Sequence, residues 1–297
     1  MAPISHASNW SNATRVTYRV QHSYRYTYSA PVRALRQRLI MIPSDSLCDQ
    51  RLLDYQLAVD GTNGSPEIDW GSDVFGNRVC TVRGDAVPNA ISFDVSFSVE
   101  RTTPQKRTVR LSAREIDAYM SATPLTQTDE RLDDAARGIS SKSPSPEQRA
   151  SMAAAWTTGA LAYQNGVTSV GTTAADALRS GKGVCQDFSH VLLALLRRMD
   201  IPARYVSGHL IGDGAPHAWV EALLPRGESA KTVDVAAYDA ANDRQPGLDY
   251  VAVAVGRDYA DVSPTSGWFT GSARSTLDWT KCAEVTAVDR STGDAAS

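Results

Sequence analysis

The first third of the chain alternates between apolar and polar positions with a period of two. From residue 16 onward, one parity carries mostly aromatic and β-branched side chains and the other carries polar ones. The alternation recurs in 53–59, around 79–82 and most clearly in 91–99, and Asp-Gly, Asn-Gly and Gly-Asn dipeptides separate these runs. A period of two between turn signals predicts strands. Residues 14–103 are therefore predicted to form an antiparallel β-sandwich or barrel.

The pattern changes to a helical one after Pro104. Segments 129–138 and 146–163 have helical composition, and 173–176 has the form of a capping box that opens a short helix. From Val184 the apolar residues recur at steps of four, three and one, which is typical of a helix with one buried face. We expect this helix to end at Ile201-Pro202.

Three strand-like segments follow this helix, at 203–210, 217–224 and 232–238, with a turn at 212–214 between the first two. A helix followed by consecutive strands predicts an α+β fold. We therefore divide the chain into an N-terminal β-rich domain (14–103), a core (104–284) and a tail (285–297). The tail lacks apolar periodicity and is expected to be flexible.

Composition excludes several functional classes. The chain of 297 residues has a net charge of −3, which argues against a nucleic-acid surface. No apolar run is long enough to span a membrane, and the first residues lack an export signal, so we expect a cytoplasmic protein without a membrane partner. The four cysteines are scattered, and no calcium loop or phosphate-binding glycine motif is present. We therefore expect no metal or cofactor.

Cys185 is the first candidate for chemistry, because it lies in the first turn of the helix that begins near Val184. The N–H groups and the positive dipole end of a helix N-terminus stabilise a thiolate. The same N–H groups can bind the oxyanion that forms when a carbonyl is attacked. On position alone, a buried structural cysteine is an equally good interpretation.

A thiolate nucleophile needs an imidazole partner, and three histidines lie near in sequence. His190 is on the same helix as Cys185, and His209 ends a strand, so a structural role is expected for both. His217 begins the next strand, in His-Ala-Trp-Val-Glu, where alternation places it on one face with Trp219 and Glu221. A histidine on a strand that faces a helix N-terminus is the papain-type arrangement.

A third group should orient the imidazole, and the candidates are Asp234, Asp239 and Asp243. Asp239 directly follows the strand predicted at 232–238, so its side chain could reach a histidine on a neighbouring strand. Acidic residues are also common in turns, and the pattern alone does not distinguish the three.

Three motifs resemble the core of the bacterial transglutaminase-like superfamily: Gly-Val-Cys-Gln-Asp-Phe at 183–188, Ile-Pro-Ala-Arg-Tyr-Val-Ser-Gly at 201–208, and His-Ala-Trp-Val-Glu at 217–221. The first third, with Asp-Val-Phe-Gly-Asn at 73–77, resembles the β-rich domain that precedes this core in many bacterial members. The resemblance covers roughly residues 14–280 and implies a papain-like core with a nucleophile helix packed on an antiparallel sheet.

The resemblance also implies roles for individual residues. Cys185 would be the nucleophile, His217 the general base and acid, and Asp239 the orienting acid. An upstream side chain often completes the oxyanion site in this family, for which Tyr163 is a candidate. Gln186 and Trp219 are further candidates for the oxyanion site or the cleft wall, although Trp219 could equally be a core residue.

The sequence departs from the family pattern around the acid. The usual Trp-x-x-x-Asp-Pro-Thr-Asn is Val-Ala-Ala-Tyr-Asp-Ala-Ala-Asn at 235–242, so Asp239 and Asn242 keep their places but the tryptophan and proline are absent. His209 stands where a tyrosine is often found. These differences concern the surface that would face the substrate.

By this resemblance, the expected function is acyl transfer from a protein or peptide amide through a thioester on Cys185. An amine acceptor would give transglutamination, whereas water would make the same site an amidase or cysteine peptidase. A non-catalytic binding module that keeps the fold is the alternative from another class.

Overall fold

The computed structural model describes residues 12–103, 107–212, 216–226 and 229–290. Most of the predicted turn at 212–214 lies outside the described residues, as does the end of the predicted tail, at 291–297. The elements in chain order are β1 (Ala13–Tyr28), β2 (Val32–Leu39), β3 (Ser46–Leu47), β4 (Gln50–Asp60), β5 (Glu67–Ser72), β6 (Arg78–Val87), β7 (Ala90–Thr102), β8 (Arg107–Arg110), α1 (Ala113–Met120), a 3₁₀ turn (Pro124–Thr126), α2 (Glu130–Ser140), α3 (Pro146–Ala160), β9 (Ala162–Tyr163), α4 (Ala174–Ser180), β10 (Lys182–Gly183), α5 (Cys185–Arg198), β11 (Ala203–Leu210), β12 (Pro216–Arg226), β13 (Ser229–Tyr238), β14 (Tyr250–Gly256), α6 (Tyr259–Val262), β15 (Thr265–Thr270) and β16 (Ser275–Arg290).

The N-terminal part is a β-sandwich of two antiparallel sheets, as the alternating pattern predicted. One sheet has the strand order β16-β1-β7-β4-β3 and the other β15-β2-β6-β5. The apolar parity of β1 points inward: Val16, Tyr18 and Val20 are fully buried, and they share one core with residues of β2, β6 and β7. The period of two therefore reports which side of each strand faces the opposite sheet.

The last two strands belong with the N-terminal part of the chain, so the predicted division at 104–284 and 285–297 is wrong there. β15 pairs with β2, and β16 pairs with β1 from Ser275 to Arg290, so the last two strands complete the N-terminal sheets. Residues 285–290 are thus a paired strand and not a flexible tail. β16 is an edge strand whose side chains are nearly all exposed or half-exposed. Such a strand has little apolar alternation, because pairing with β1 holds it in place more than burial does.

The core consists of a third antiparallel sheet, β14-β11-β12-β13-β8, with α5 packed on it. The sequence predicted one buried face for α5, but twelve of its fourteen residues are buried. Helices α2, α3 and α4 surround the helix on the sides that the sheet leaves open. A helix enclosed in this way is a rigid support for Cys185, which lies in its first turn.

The sandwich is joined to the core along β14, the edge strand of the core sheet. The side-chain amide of Gln50 makes two hydrogen bonds to Ala252, of 2.6 and 2.9 Å, and that of Asn77 makes two to Val255, of 2.7 and 2.8 Å. These amides replace a neighbouring strand and so satisfy backbone groups that an edge would leave open. The Asp-Val-Phe-Gly-Asn motif at 73–77 therefore fastens the two parts of the molecule together.

Candidate active site

Cys185 is the first residue of α5, and the chain before it is shaped by two glycines. Gly181 ends α4 in the left-handed conformation, with φ of 65°, which glycine adopts without steric cost. Gly183 lies so close to α5 that a Cβ on it would come within 2.5 Å of the Cβ of Asp187. Cys185 therefore sits at the helix N-terminus, where the first N–H groups have no partner within the helix, and its side chain is 8% exposed.

Asp187 holds the start of this helix in place, a role that was not predicted. Its Oδ2 accepts hydrogen bonds from the backbone N–H of Val184 at 2.8 Å and from the hydroxyl of Thr168 at 2.7 Å. Burial raises the pKa of its carboxyl, although these hydrogen bonds act in the opposite direction. An aspartate three positions after the N-cap is half of a capping box, so the sequence did carry a signal for this contact.

His217 and Asp239 are brought together from two different strands. His217 lies at the start of β12 and Asp239 directly after β13, and both are almost fully buried. The Nε2 of His217 is 2.7 Å from the Oδ2 of Asp239. Because Asp239 occupies Nε2, Nδ1 is the ring nitrogen left for the thiol of Cys185, with which the imidazole also interacts.

The carboxylate of Asp239 is itself held from several sides. Besides His217, its Oδ2 accepts hydrogen bonds from the hydroxyl of Tyr250 at 2.6 Å and from the amide of Asn242 at 2.8 Å. Its Oδ1 accepts from the backbone N–H groups of Ala241 and Asn242 at 3.0 and 3.2 Å. A short antiparallel bridge between Asp239 and Arg244 closes this turn. Asp239 is therefore fixed in a position that orients the imidazole.

These contacts shift the protonation of both groups. Burial alone would lower the pKa of His217, but the hydrogen bond to Asp239 and the interaction with Cys185 outweigh burial and raise it to about 9. Burial would raise the pKa of Asp239, but the hydrogen bonds from His217, Asn242 and Tyr250 leave it below its ordinary value. An imidazolium is thus stable at neutral pH, and it stands beside the thiol that would become a thiolate.

Tyr163, Gln186 and Trp219 were the other predicted residues, and the structure places them differently from one another. Tyr163 was predicted to end a helix, but α3 ends at Ala160. Tyr163 belongs instead to β9, which pairs in parallel with β10 opposite Gly183. This pairing holds its half-exposed side chain near the start of α5, with its ring 6.2 Å from that of Phe188.

Gln186 and Trp219 have different surroundings. The amide of Gln186 lies 3.4 Å from the carbonyl oxygen of Val170, so it connects the first turn of α5 to the preceding loop. Trp219 is 3% exposed and stacks on His217 with ring centroids 6.4 Å apart. Trp219 therefore supports the imidazole from behind, and its burial agrees with the core position that was one of its two interpretations.

The two remaining histidines near the nucleophile have structural positions. His190 is fully buried on α5 and accepts a hydrogen bond from the backbone N–H of Tyr259 at 3.3 Å. His209 pairs with His22 of the sandwich, with 2.9 Å between their Nε2 atoms. Both positions agree with the structural role expected from the sequence.

Comparison with known proteins covers both parts of the chain. Residues 133–229 match the family described as the transglutaminase-like superfamily, and residues 18–100 match the bacterial transglutaminase-like N-terminal region. An uncharacterized protein of Mycobacterium leprae (strain TN) is 32% identical over 277 residues, which cover 88% of this chain and 95% of the relative. The chain belongs to the transglutaminase-like superfamily.

Other relatives of this transglutaminase-like protein are more distant. An uncharacterized protein of Mycobacterium tuberculosis (strain ATCC 25618 / H37Rv) is 28% identical over 289 residues, or 88% of this chain and 90% of the relative. A crystal structure described as a candidate cysteine protease from Cytophaga hutchinsonii has a TM-score of 0.74 and 21% identity, and covers 93% of each chain. This likeness establishes the same papain-like, transglutaminase-like fold.

Within the transglutaminase-like core, the matched region contains Cys185 and His217 but ends before Asp239. Tyr250, which donates to Asp239, was missed, and no local pattern could have identified it, because its hydroxyl reaches Asp239 only in the folded core, where β11 and β12 lie between β14 and β13 in the sheet. Among the described residues, no group of three or more His, Cys, Asp and Glu side chains is arranged to hold a metal ion. In the same part of the chain, no helix combines the length and apolarity needed to cross a bilayer.

Proposed function

We propose that this transglutaminase-like protein is an enzyme that transfers acyl groups from amide or peptide substrates through a thioester on Cys185. The observation that carries the proposal is that one imidazole, His217, has Asp239 on its Nε2 and also interacts with Cys185. Asp239 holds the ring, and the ring keeps the proton that the thiol gives up. The position of the thiol at a helix N-terminus supports the same role.

The reaction proceeds in two halves. In the first, the thiolate sulfur attacks the amide carbonyl carbon, and the oxyanion that forms lies by the N–H groups of the first turn of α5. His217 gives its proton to the leaving nitrogen, and the C–N bond breaks to leave a thioester. In the second, His217 takes a proton from an incoming amine or water, which attacks the thioester carbon, and the C–S bond breaks to release the thiolate beside the imidazolium.

The acceptor separates transglutamination from hydrolysis, and both follow from the same intermediate. The candidate cysteine protease of the same fold is a reason to measure peptide-bond cleavage as well as transfer. A non-catalytic binding module is the weaker alternative, because such a module has no need for the buried network around Asp239.

The test uses an unstructured, glutamine-containing protein as the acyl donor and a fluorescent primary amine as the acceptor. Amine incorporation, ammonia release and new peptide fragments are measured in parallel, and mass spectrometry looks for an acyl adduct on Cys185. We expect Cys185→Ala to remove all product, while Cys282→Ser, a change at an exposed cysteine outside the site, leaves it unchanged. Absence of product and adduct with a broad panel of amide donors would refute the proposal.

A further inference from the structure

A polar cavity of about 290 Å³ lies between the sandwich and the core sheet. Its charged side is formed by Arg101 and Asp49 of the sandwich together with Arg107 and Glu221 of the core sheet. None of these residues belongs to the candidate active site. The volume is far more than one buried water molecule needs, and it is close to the lower end of small-molecule sites.

The other side of the cavity is apolar. Trp219, Val235, Ala237 and Pro246 contribute to it. Ala237 lies opposite Glu221 in the pairing of β13 with β12, so it faces the same side of the sheet as Trp219. Trp219 is the one residue that the cavity shares with the candidate active site, since its ring also stacks on His217.

The acidic side chains of this cavity are engaged mainly by Arg107 and by the neighbouring Arg204. Glu221 accepts both Arg204, at 2.6 Å, and Arg107, at 2.6 Å, so one carboxylate serves two guanidinium groups. Asp49 is 4.0 Å from Arg107 and is the other acidic residue of the lining. Cys48, which also lines the cavity, adds no negative charge, because burial and the neighbouring Glu221 raise the pKa of its thiol to about 11. The lining thus holds two arginines and two carboxylates, and one of these carboxylates, Glu221, is shared with Arg204, which lies outside the lining.

Arg101 also lines the cavity, but it forms no ion pair with a carboxylate among the described residues. It is 3% exposed, and its Nη2 donates to the backbone carbonyl of Gly247 at 2.9 Å. Among the described residues, no carboxylate lies within 4.0 Å of it, and its Nε has no hydrogen-bond partner. The buried Nε of Arg107 is without a partner in the same way. A buried guanidinium is stable only when an anion or good acceptors satisfy it.

We propose that this cavity binds a small organic carboxylate, with its charged group on Arg101 and its apolar body against Trp219 and Ala237. Arginine presents a planar fork of N–H donors that matches a carboxylate, which makes this class of anion the best fit to an arginine that lacks a carboxylate partner. The apolar side selects a ligand with a hydrocarbon or aromatic body over a bare inorganic ion. This site does not depend on the chemistry proposed for Cys185.

The test is isothermal titration of the whole protein with benzoate, in a low-chloride buffer at neutral pH. Benzamide has the same shape without the charge and is the matched control ligand. We expect benzoate to bind saturably at one site and benzamide to bind at least about tenfold more weakly, because it lacks the charge-assisted hydrogen bonds. Absence of saturable benzoate binding, or equal binding of benzamide, would refute the proposal.

Variants locate the bound carboxylate. Arg101→Gln removes the charge and should weaken benzoate binding about tenfold or more. Ala237→Leu fills the cavity without touching Arg101 and should also abolish binding, so the test does not depend on one variant that might fold poorly. Arg25→Gln, at an exposed arginine of β1, and Cys185→Ala should both bind benzoate as the wild type does. Binding that survives in both Arg101→Gln and Ala237→Leu would place the ligand elsewhere and overturn the assignment.

Discussion

Two buried histidines on neighbouring strands have opposite chemistry. His209 on β11 and His217 on β12 are 2% and 3% exposed, and their strands pair with each other. Burial, together with nearby His22 and Lys281, lowers the pKa of His209 well below its ordinary value. The pKa of His217 is instead raised to about 9, although burial acts against it.

The partner explains this difference. His209 faces another histidine, and an imidazolium there would be buried with no counter-charge. His217 faces the carboxylate of Asp239, which compensates the charge that burial penalises. The comparison shows that burial by itself does not make a histidine reactive or inert. In both histidines, the residue that contacts Nε2 determines whether the ring can hold a proton at neutral pH.

The largest difference between the two histidines is expected when each is replaced in turn. In a Cys282→Ser background, which removes the exposed thiol, we expect His217→Ala to slow alkylation of Cys185 by iodoacetamide at pH 6.5 by about a hundredfold. His209→Gln should change this rate by no more than about twofold. Mass spectrometry of the labelled peptide measures both rates, and circular dichroism checks the fold. An equal loss in the two variants would mean that His217 acts only through stability.

Removing the counter-charge should have the next largest effect. Asp239→Asn takes away the carboxylate that keeps His217 protonated, so the pKa of the imidazole should fall towards or below its ordinary value of about 6.5. We expect turnover to fall about a hundredfold and the imidazole resonance, followed by NMR, to titrate at lower pH. Asp243→Asn is the matched control: Asp243 is exposed in the same turn at φ of 50°, a conformation that asparagine tolerates. An unchanged His217 titration in Asp239→Asn would contradict the prediction.

The His22–His209 pair and the His217–Asp239 pair should also affect the free energy of unfolding, in opposite pH ranges. The pKa of His22 is lowered to about 3 by burial and by Lys281, so the unfolded state takes up protons below about pH 6.5 before the folded state does. The free energy of unfolding should therefore decrease as the pH falls from about 6.5 towards 3, by up to about 1.4 kcal/mol per pH unit for each histidine.

His217 should act the other way, because its folded pKa lies above its unfolded value. The stability that it contributes is complete below about pH 6.5 and is lost as the pH rises through about 9. Urea unfolding from pH 4.5 to 9.5 measures both windows. The double variant His22→Gln/His209→Gln should flatten the acid side alone, and Asp239→Asn the alkaline side alone. A double variant with the wild-type acid profile would show that other groups cause the acid sensitivity.

The smallest effect is expected from Tyr250→Phe. This change removes one hydrogen bond to Asp239 but keeps the aromatic ring that packs edge-on against Trp219 at 5.3 Å. We expect a three- to tenfold decrease in turnover, in line with the loss of one charge-assisted hydrogen bond out of several. Tyr18→Phe removes a hydrogen bond of similar length, 2.8 Å to Leu248, outside the site. It should lower the melting temperature without lowering turnover, and equal kinetic effects would contradict the positioning role of Tyr250.

The contact between the sandwich and the core sheet shows that a short motif can connect distant parts of the chain. The sequence identified Asp-Val-Phe-Gly-Asn at 73–77 by resemblance, without assigning it a role. Asp73 shapes the turn by accepting from the backbone N–H groups of Phe75 and Asn77 at 2.9 and 3.0 Å. The turn then directs the amide of Asn77 at β14, the strand that also carries Tyr250. The sandwich is thereby connected to the strand that supports Asp239.

Much of the fold and of the candidate site was determined by local sequence. Alternation predicted β1 and β7, the capping pattern predicted the start of α4, and the apolar spacing predicted α5 with Cys185 in its first turn. These features depend on residues a few positions apart, so a short window contains the information. The motifs around Cys185 and His217 added the family, because each of them is contiguous.

Other features were decided only when distant segments met. The pairing of β16 with β1, the burial of Trp219, the contact of Tyr250 with Asp239 and the arginine-lined cavity between the two parts have no local signature. The two histidines make the same point, since each lies on a similar strand. Their pKa values differ because each histidine contacts a different side chain in the folded protein. The electrostatic energy between two charges depends on the distance between them in space and on their burial, and not on their separation along the chain.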